Sequence, residues 1–261
     1  MRINKAVFER IYRHYNRREY VSPDPLQFLY RYRALQDREA AGFIAACLAY
    51  GSVAQILKAA GFVLDKMGPN PRDYIVNSTP ARLKKDFNGF YYRFTRDTQL
   101  RALLAALKTV ISRHGSLEKC FASHCLPGED TVFPALQGFI RELYSCGGDL
   151  STLVPSPDGT SALKRLNLWL RWMVRSDNVD PGGWKAVPPS KLVVPLDVHM
   201  FRACRSLGFT KRRAAGRDAA LEITRAFGRF SPEDPVKYDF CLTRFGIRDG
   251  VTPFPALSNP R

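Results

Sequence analysis

Apolar residues recur at the spacing of a helix face through most of this chain, and no apolar–polar alternation runs beyond about five residues. Without alternating strands a chain cannot build a sheet that is wet on one face, so the pattern predicts an all-α protein. Val7, Phe8, Ile11, Tyr12 and Tyr15 mark a first helix, about 3–18, and a second, about 25–33, follows Pro23 and Pro25. Asp37 reads as the N-cap of REAAGFIAACLAY, which stops at Gly51, and Ser52 restarts the chain into VAQILKAAGFVLDKMG. A short helix is expected at 80–87, and the aromatic stretch FNGFYYRF reads as a loop packed on the core. The amphipathic run TRDTQLRALLAALKTVISRHGS, the short SLEKCFASH and a helix at 130–146 follow. After a loop at 149–160, Ser161 is expected to cap ALKRLNLWLRWMVR. A Pro/Gly-rich linker and the run LVVPL then lead to a helix opening at Asp197, with two more at about 211–228 and 232–245.

With 45% hydrophobic residues the chain has a core to bury, so its excess of 40 Lys and Arg over 24 Asp and Glu belongs to a folded protein and not to a disordered tail. A net charge of +16 suits a polyanion, whether nucleic acid, membrane surface or acidic protein. The basic clusters Arg17-Arg18, Lys84-Lys85 and Lys211-Arg212-Arg213 each read as solvated faces. No run of 18 or more uncharged apolar residues exists, and the first twenty residues carry charges throughout, which predicts a cytoplasmic protein without a membrane span. Six cysteines and four histidines are scattered without ligand spacing, so neither metal nor cofactor is expected.

The helix after Ser161 is apolar over most of its circumference, as a central helix is. Its polar members Lys164, Asn167, Arg171 and Arg175 fall at offsets 0, 3, 7 and 11 and share one stripe, which reads as a basic, solvent-facing edge. Lys164 lies in the first turn, where the helix dipole and the neighbouring Arg165 oppose its positive charge. A neutral amine there is a nucleophile that can form a Schiff base at a carbonyl or sugar carbon. Asp197, in VVPLDVHMFRACRSLG, reads as an N-cap whose fixed carboxylate also suits acid/base work beside a lysine.

PLDVHMFRACRSLG resembles the segment of the helix-hairpin-helix (HhH-GPD) DNA glycosylase superfamily in which an Asp opens a helix just ahead of a His, and FIAACLAYGSVAQI resembles that superfamily's early helix pair. Over almost its whole length, on KRLNLWLRWMVR, PSKLVVPLDVH and PEDPVKYDFCLTRFG, the chain is similar to an uncharacterised, DUF2400-like bacterial family. That family looks like a distant glycosylase branch, closest in layout to the archaeal 8-oxoguanine enzymes. The resemblance implies a two-lobed helical fold with a glycosylase-like core at about 35–246, an insertion linker at 176–196 and an extended tail at 249–261. It carries the attacking lysine onto Lys164 and the assisting aspartate onto Asp197, 33 residues downstream. One departure stands out: SPDGTSALK has the single Gly159 where the superfamily has Gly-x-Gly. Either Gly159, Thr160 and Ser161 rebuild the phosphate anchor or DNA is bound differently.

The activity so implied is that of a monomeric N-glycosylase and abasic-site lyase acting on a modified purine, such as 8-oxoguanine, in double-stranded DNA. Under it, Gly159, Ser161, Arg165, Arg171, Arg175 and His199 contact DNA, while Trp184, Tyr50 and Trp169, with Trp172, are candidate walls for a flipped base. Two other readings stay open: a nucleic-acid-binding module of the same fold that has lost its chemistry, and an enzyme that turns the lysine and aspartate on RNA or a free nucleoside.

Overall fold

The computed structural model describes residues 5–248, with side chains through Phe245, so the expected 249–261 tail lies outside the described residues. In chain order the elements are α1 (Lys5–Tyr15), a 3-10 helix at Pro25–Arg31, α2 (Leu35–Cys47), α3 (Val53–Met67), α4 (Pro71–Asn77), α5 (Pro80–Phe87), the strand pair β1 (Tyr91–Tyr92) and β2 (Thr95–Arg96), α6 (Asp97–His114), α7 (Leu117–Ser123) and α8 (Phe133–Ser145). There follow α9 (Lys164–Val174), α10 (Val198–Ser206), α11 (Arg217–Gly228) and α12 (Asp239–Arg248). The protein is all-α apart from that small hairpin, and none of the described helices is long and apolar enough to cross a membrane.

The chain divides into two compact units, each assembled from separated segments. One comprises the residues up to Ser22, Thr160–Gly182 and those from Pro188 on. The other comprises Pro23–Gly159 and Gly183–Val187. In the first, α1 packs on α12 and α10 on α11, over a cluster of Phe8, Phe209, Phe227, Phe230 and Tyr238 whose ring centroids lie 5.1–6.4 Å apart. The run LVVPL is extended and buried there, and Val194 N–H donates to Thr224 Oγ1 at 3.0 Å. In the second, α6 is the central helix, contacted by α4, α5, α7 and α8, and its buried face is Leu100, Leu103, Leu104, Leu107, Val110 and Ile111.

Two buried carboxylates in the second unit serve helices other than their own. Asp37 does not cap α2, which starts two residues before it; its Oδ1 accepts from Arg72 N–H at 3.0 Å, in the first turn of α4. This remote cap supports a seven-residue helix that periodicity alone does not reveal. Glu39 accepts from Leu117 N–H (2.8 Å) and Glu118 N–H (3.1 Å) at the start of α7, and from Trp184 Nε1–H at 3.0 Å. Trp184 is thereby sealed in the core beside Phe121, 5.8 Å between ring centroids, and offers no free face as a pocket wall. The stretch FNGFYYRF is only half packed: Phe90 and Tyr92 are buried, whereas Tyr91 and Phe94 stand out from the hairpin.

Candidate active site

Lys164 is the first residue of α9, and the turn that delivers it is unusual. Leu163, the residue before it, sits at φ 49°, ψ 38°, a left-handed conformation that a branched side chain rarely adopts. Its carbonyl accepts from both Leu166 N–H and Asn167 N–H, which closes the first turn of α9. Ser161, expected to cap this helix, lies outside it; its Oγ accepts from Leu163 N–H at 3.1 Å and so shapes the entry turn. Asp197 does cap α10, with Oδ1 accepting from Met200 N–H at 2.8 Å. Its other oxygen, Oδ2, lies 3.3 Å from Lys164 Nζ.

The two side chains thus meet within one compact unit, with 39% of Lys164 and 28% of Asp197 still open to solvent. An ion pair this exposed contributes roughly 0–1 kcal/mol to stability, so the fold does not depend on it. Chemically, an amine reachable from solvent stands beside a carboxylate whose direction a helix terminus fixes. That is the arrangement needed for a nucleophile and its proton acceptor.

Below this pair the expected solvent edge does not exist. Arg171 and Arg175 are 3% and 4% exposed, enclosed by Asp177, Asp180, Asp234 and Asp239. Arg171 donates from Nε to Asp180 (3.2 Å) and from Nη1 to Asp239 (2.5 Å). Arg175 donates from Nε to Asp234 (2.9 Å), from Nη2 to Asp177 (2.9 Å) and from Nη1 to Asp180. Both guanidiniums are therefore saturated by carboxylates and unavailable to phosphate in this structure. Asn167 is likewise buried, its Nδ2 on Ala162 O at 2.9 Å, so Lys164 is the one accessible member of the predicted stripe. Four carboxylates against two guanidiniums leave an acid excess, with Asp180 and Asp239 buried and Asp177 and Asp234 partly open. Burial accordingly pushes Asp180 up and Asp239 up to about 6, with Arg171 opposing; the charge of Asp197 adds to the rise at Asp239.

The remaining predicted DNA contacts are more open. Arg165 is half-buried beside Lys164, His199 is exposed in the first turn of α10, and Gly159 sits in the loop ahead of α9. Thr160 O accepts from Arg217 N–H at 3.0 Å, and Ser161 bridges Gly216, so the entry to α9 is tied to the N-terminus of α11. Beside that tie lies a depression of about 340 Å³ lined by Thr160, Arg212, Arg213, Gly216, Arg217 and the carboxylate of Asp218. Arg212 is occupied by Glu222 (2.8 Å) and Asp218 (3.2 Å), while Arg213 is exposed and has no carboxylate partner among the described residues. Sequence reasoning passed over this place. Its only signal was the Lys211-Arg212-Arg213 run, and nothing in the sequence says that a helix N-terminus lies beside it.

Of the proposed pocket walls, Trp169 and Trp172 are wholly buried in α9. Tyr50 is half-buried, its hydroxyl 2.6 Å from Thr95 Oγ1 and donating to Tyr92 O at 3.2 Å. The fold also gathers His114, Cys120 and Glu142, which the sequence scatters, with ligand atoms within 4.8 Å of one another. Glu142 accepts from His114 Nε2 (2.6 Å), His124 Nε2 (2.9 Å), Arg113 (3.0 Å) and the Cys120 thiol (3.4 Å), so these groups already satisfy one another.

Residues 24–248 match the model of a family described as "Protein of unknown function (DUF2400)". No curated protein and no solved structure matches the chain.

Proposed function

The chain belongs to the DUF2400 family, and on that premise we propose that it is a DNA-repair N-glycosylase with abasic-site lyase activity, acting on a modified purine such as 8-oxoguanine. The observation that carries this reading is the 3.3 Å approach of Lys164 Nζ to an Asp197 carboxylate that the α10 N-terminus holds in place. The resemblance of PLDVHMFRACRSLG to the HhH-GPD glycosylases supports it, and the Arg213 depression offers a seat for a backbone phosphate beside a helix N-terminus.

In this mechanism the Lys164 amine gives a proton to Asp197 and attacks C1′. The bond from C1′ to the base breaks, and the base leaves with the electron pair and is protonated. Opening of the sugar ring at O4′ gives an iminium at C1′, loss of a C2′ proton then expels the 3′-phosphate oxygen, and water frees the lysine.

Borohydride trapping on a duplex containing an abasic site tests the reading. A covalent complex is expected with the native protein, none with Lys164→Ala, and slower trapping with Asp197→Asn. No covalent complex, or equal trapping by Lys164→Ala, overturns it. The basic depression by itself favours a second reading, a non-catalytic nucleic-acid-binding module; that reading expects salt-dependent DNA binding without product and no effect of Asp197→Asn on binding.

A further inference from the structure

We propose that the groove between α3 and the β1–β2 hairpin holds an unpaired stretch of nucleic-acid strand, with bases stacked on Tyr91 and Phe94 and phosphates met by Lys58 and Arg93. It rests on the proposed function only in taking a nucleic acid as partner, and it lies wholly within the unit that lacks Lys164.

The first observation is exposure. Tyr91 and Phe94 are 70% and 71% exposed, and Phe62 of α3 is 42% exposed while stacked on Phe90 at 5.9 Å and 20°. Phe62 and Tyr91 line the groove, and Phe94 follows the lining residue Arg93 outside it; large rings left open on one small unit are surface that burial would normally claim. The groove measures about 420 Å³, inside the roughly 300–1,000 Å³ range of small-ligand sites, so a nucleobase fits.

The second observation is charge. The groove is lined by two cations, Lys58 and Arg93, and by no carboxylate. Both are exposed, and among the described residues neither has an acidic partner. Open rings interleaved with uncompensated cations are how single strands are held: every base has a face to stack, and every nucleotide has a phosphate. An acidic peptide would use the cations and leave the flat faces idle.

The third observation is strain. Arg93 turns the hairpin at φ 53°, a left-handed position where glycine is relaxed and arginine is not. The surroundings are built to accept it. A Cβ on Gly51 would lie 2.9 Å from Arg93 Cδ and 3.2 Å from the Tyr92 hydroxyl oxygen, so the absence of a side chain at Gly51 gives the arginine its path. The guanidinium carbon comes to rest 5.5 Å from the centroid of Phe94, which pairs cation and ring in one platform. A turn whose purpose was only to reverse the chain would be more stable with glycine.

Fluorescence anisotropy of the full chain with a labelled single-stranded oligonucleotide of mixed sequence tests this. Phe94→Ala and Tyr91→Ala, both at exposed rings, are expected to weaken binding about tenfold each while leaving the melting temperature in place. Arg93→Gly is expected to weaken binding and flatten its salt dependence while raising the melting temperature, because the turn relaxes. Arg93→Lys is expected to retain most of the affinity. If all four variants bind within twofold of the native protein, or if the native protein does not bind the oligonucleotide, the proposal is overturned. Groove-dependent binding together with failed borohydride trapping sinks the glycosylase reading and leaves this one standing.

Discussion

In the unit that carries Lys164, two buried guanidiniums share four carboxylates, of which Asp180 and Asp239 are buried and Asp177 and Asp234 partly so; in the other unit the buried Glu39 and the partly buried Glu142 stand singly, each inside a shell of donors. The difference shows in proton affinity. Burial raises Asp180, Asp234 and Asp239, whereas Asp177, which burial would also raise, is held down by Arg175 and by backbone N–H donors. Burial also pushes Glu39 up to about 7, with its three N–H donors opposing. Glu142 goes the other way: burial alone would raise it, but hydrogen bonds from His114, His124 and Cys120 bring it down to about 2. Where burial outweighs the donors, as at Asp239 and Glu39, the acid is raised; where donors outweigh burial, as at Asp177 and Glu142, it stays ionised.

The strongest way to break this contrast is to remove one shared cation. Arg171→Met strands Asp239 without its guanidinium, leaves Asp180 with Arg175 alone, and is expected to cost about 3–5 kcal/mol in urea unfolding. Glu39→Gln keeps an acceptor facing the α7 terminus and should cost less, about 1–3 kcal/mol. Equal losses would erase the distinction between shared and single burial.

A pH series sharpens it, because the signs oppose. Asp239 is raised from the ordinary 3.8 to about 6, so its contribution is full below about pH 4 and is lost as pH rises through 6. Glu142 is lowered from 4.5 to about 2, so its contribution is full above about pH 4.5 and is lost as pH falls toward 2. Unfolding midpoints of Asp239→Asn should therefore change less than those of the native protein between pH 4 and 7, and those of Glu142→Gln less between pH 4.5 and 2. Curves parallel to the native one in both windows would show that neither carboxylate sets the pH response.

The smallest effect is expected at the candidate site. Asparagine caps helices as well as aspartate, and an exposed pair adds little, so Asp197→Asn should unfold within about 0.5 kcal/mol of the native protein. Any loss of trapping by that variant then reports chemistry and not folding.

What could be read in advance follows the range of each interaction. Helix positions were legible because periodicity is local, and the Asp197 cap because its acceptor and donor lie three residues apart. Periodicity also grouped Lys164, Asn167, Arg171 and Arg175 correctly on one face, but it could not say what covers that face. The cover comes from Asp180, and from Asp239, 68 residues beyond Arg171. Trp184 was misread for the same reason: it sits in a Pro/Gly-rich segment, and its partner Glu39 is 145 residues away. The cap of α9 failed differently, because a left-handed Leu163 is set by its surroundings and leaves no mark in residue type.

The segmented construction of the first unit sets a timetable for the growing chain. The helix α1 is synthesised well before its packing partner α12, which begins at Asp239, so at about 5–20 residues per second Phe8 and Ile11 wait on the order of ten to fifty seconds for cover. Over that interval the stretch from Pro23 to Gly159 can already gather around α6, while the surroundings of Lys164 and Asp197 are still being synthesised. A nascent chain that stalls late would therefore present the apolar face of α1 to chaperones and carry an amine with no finished site around it.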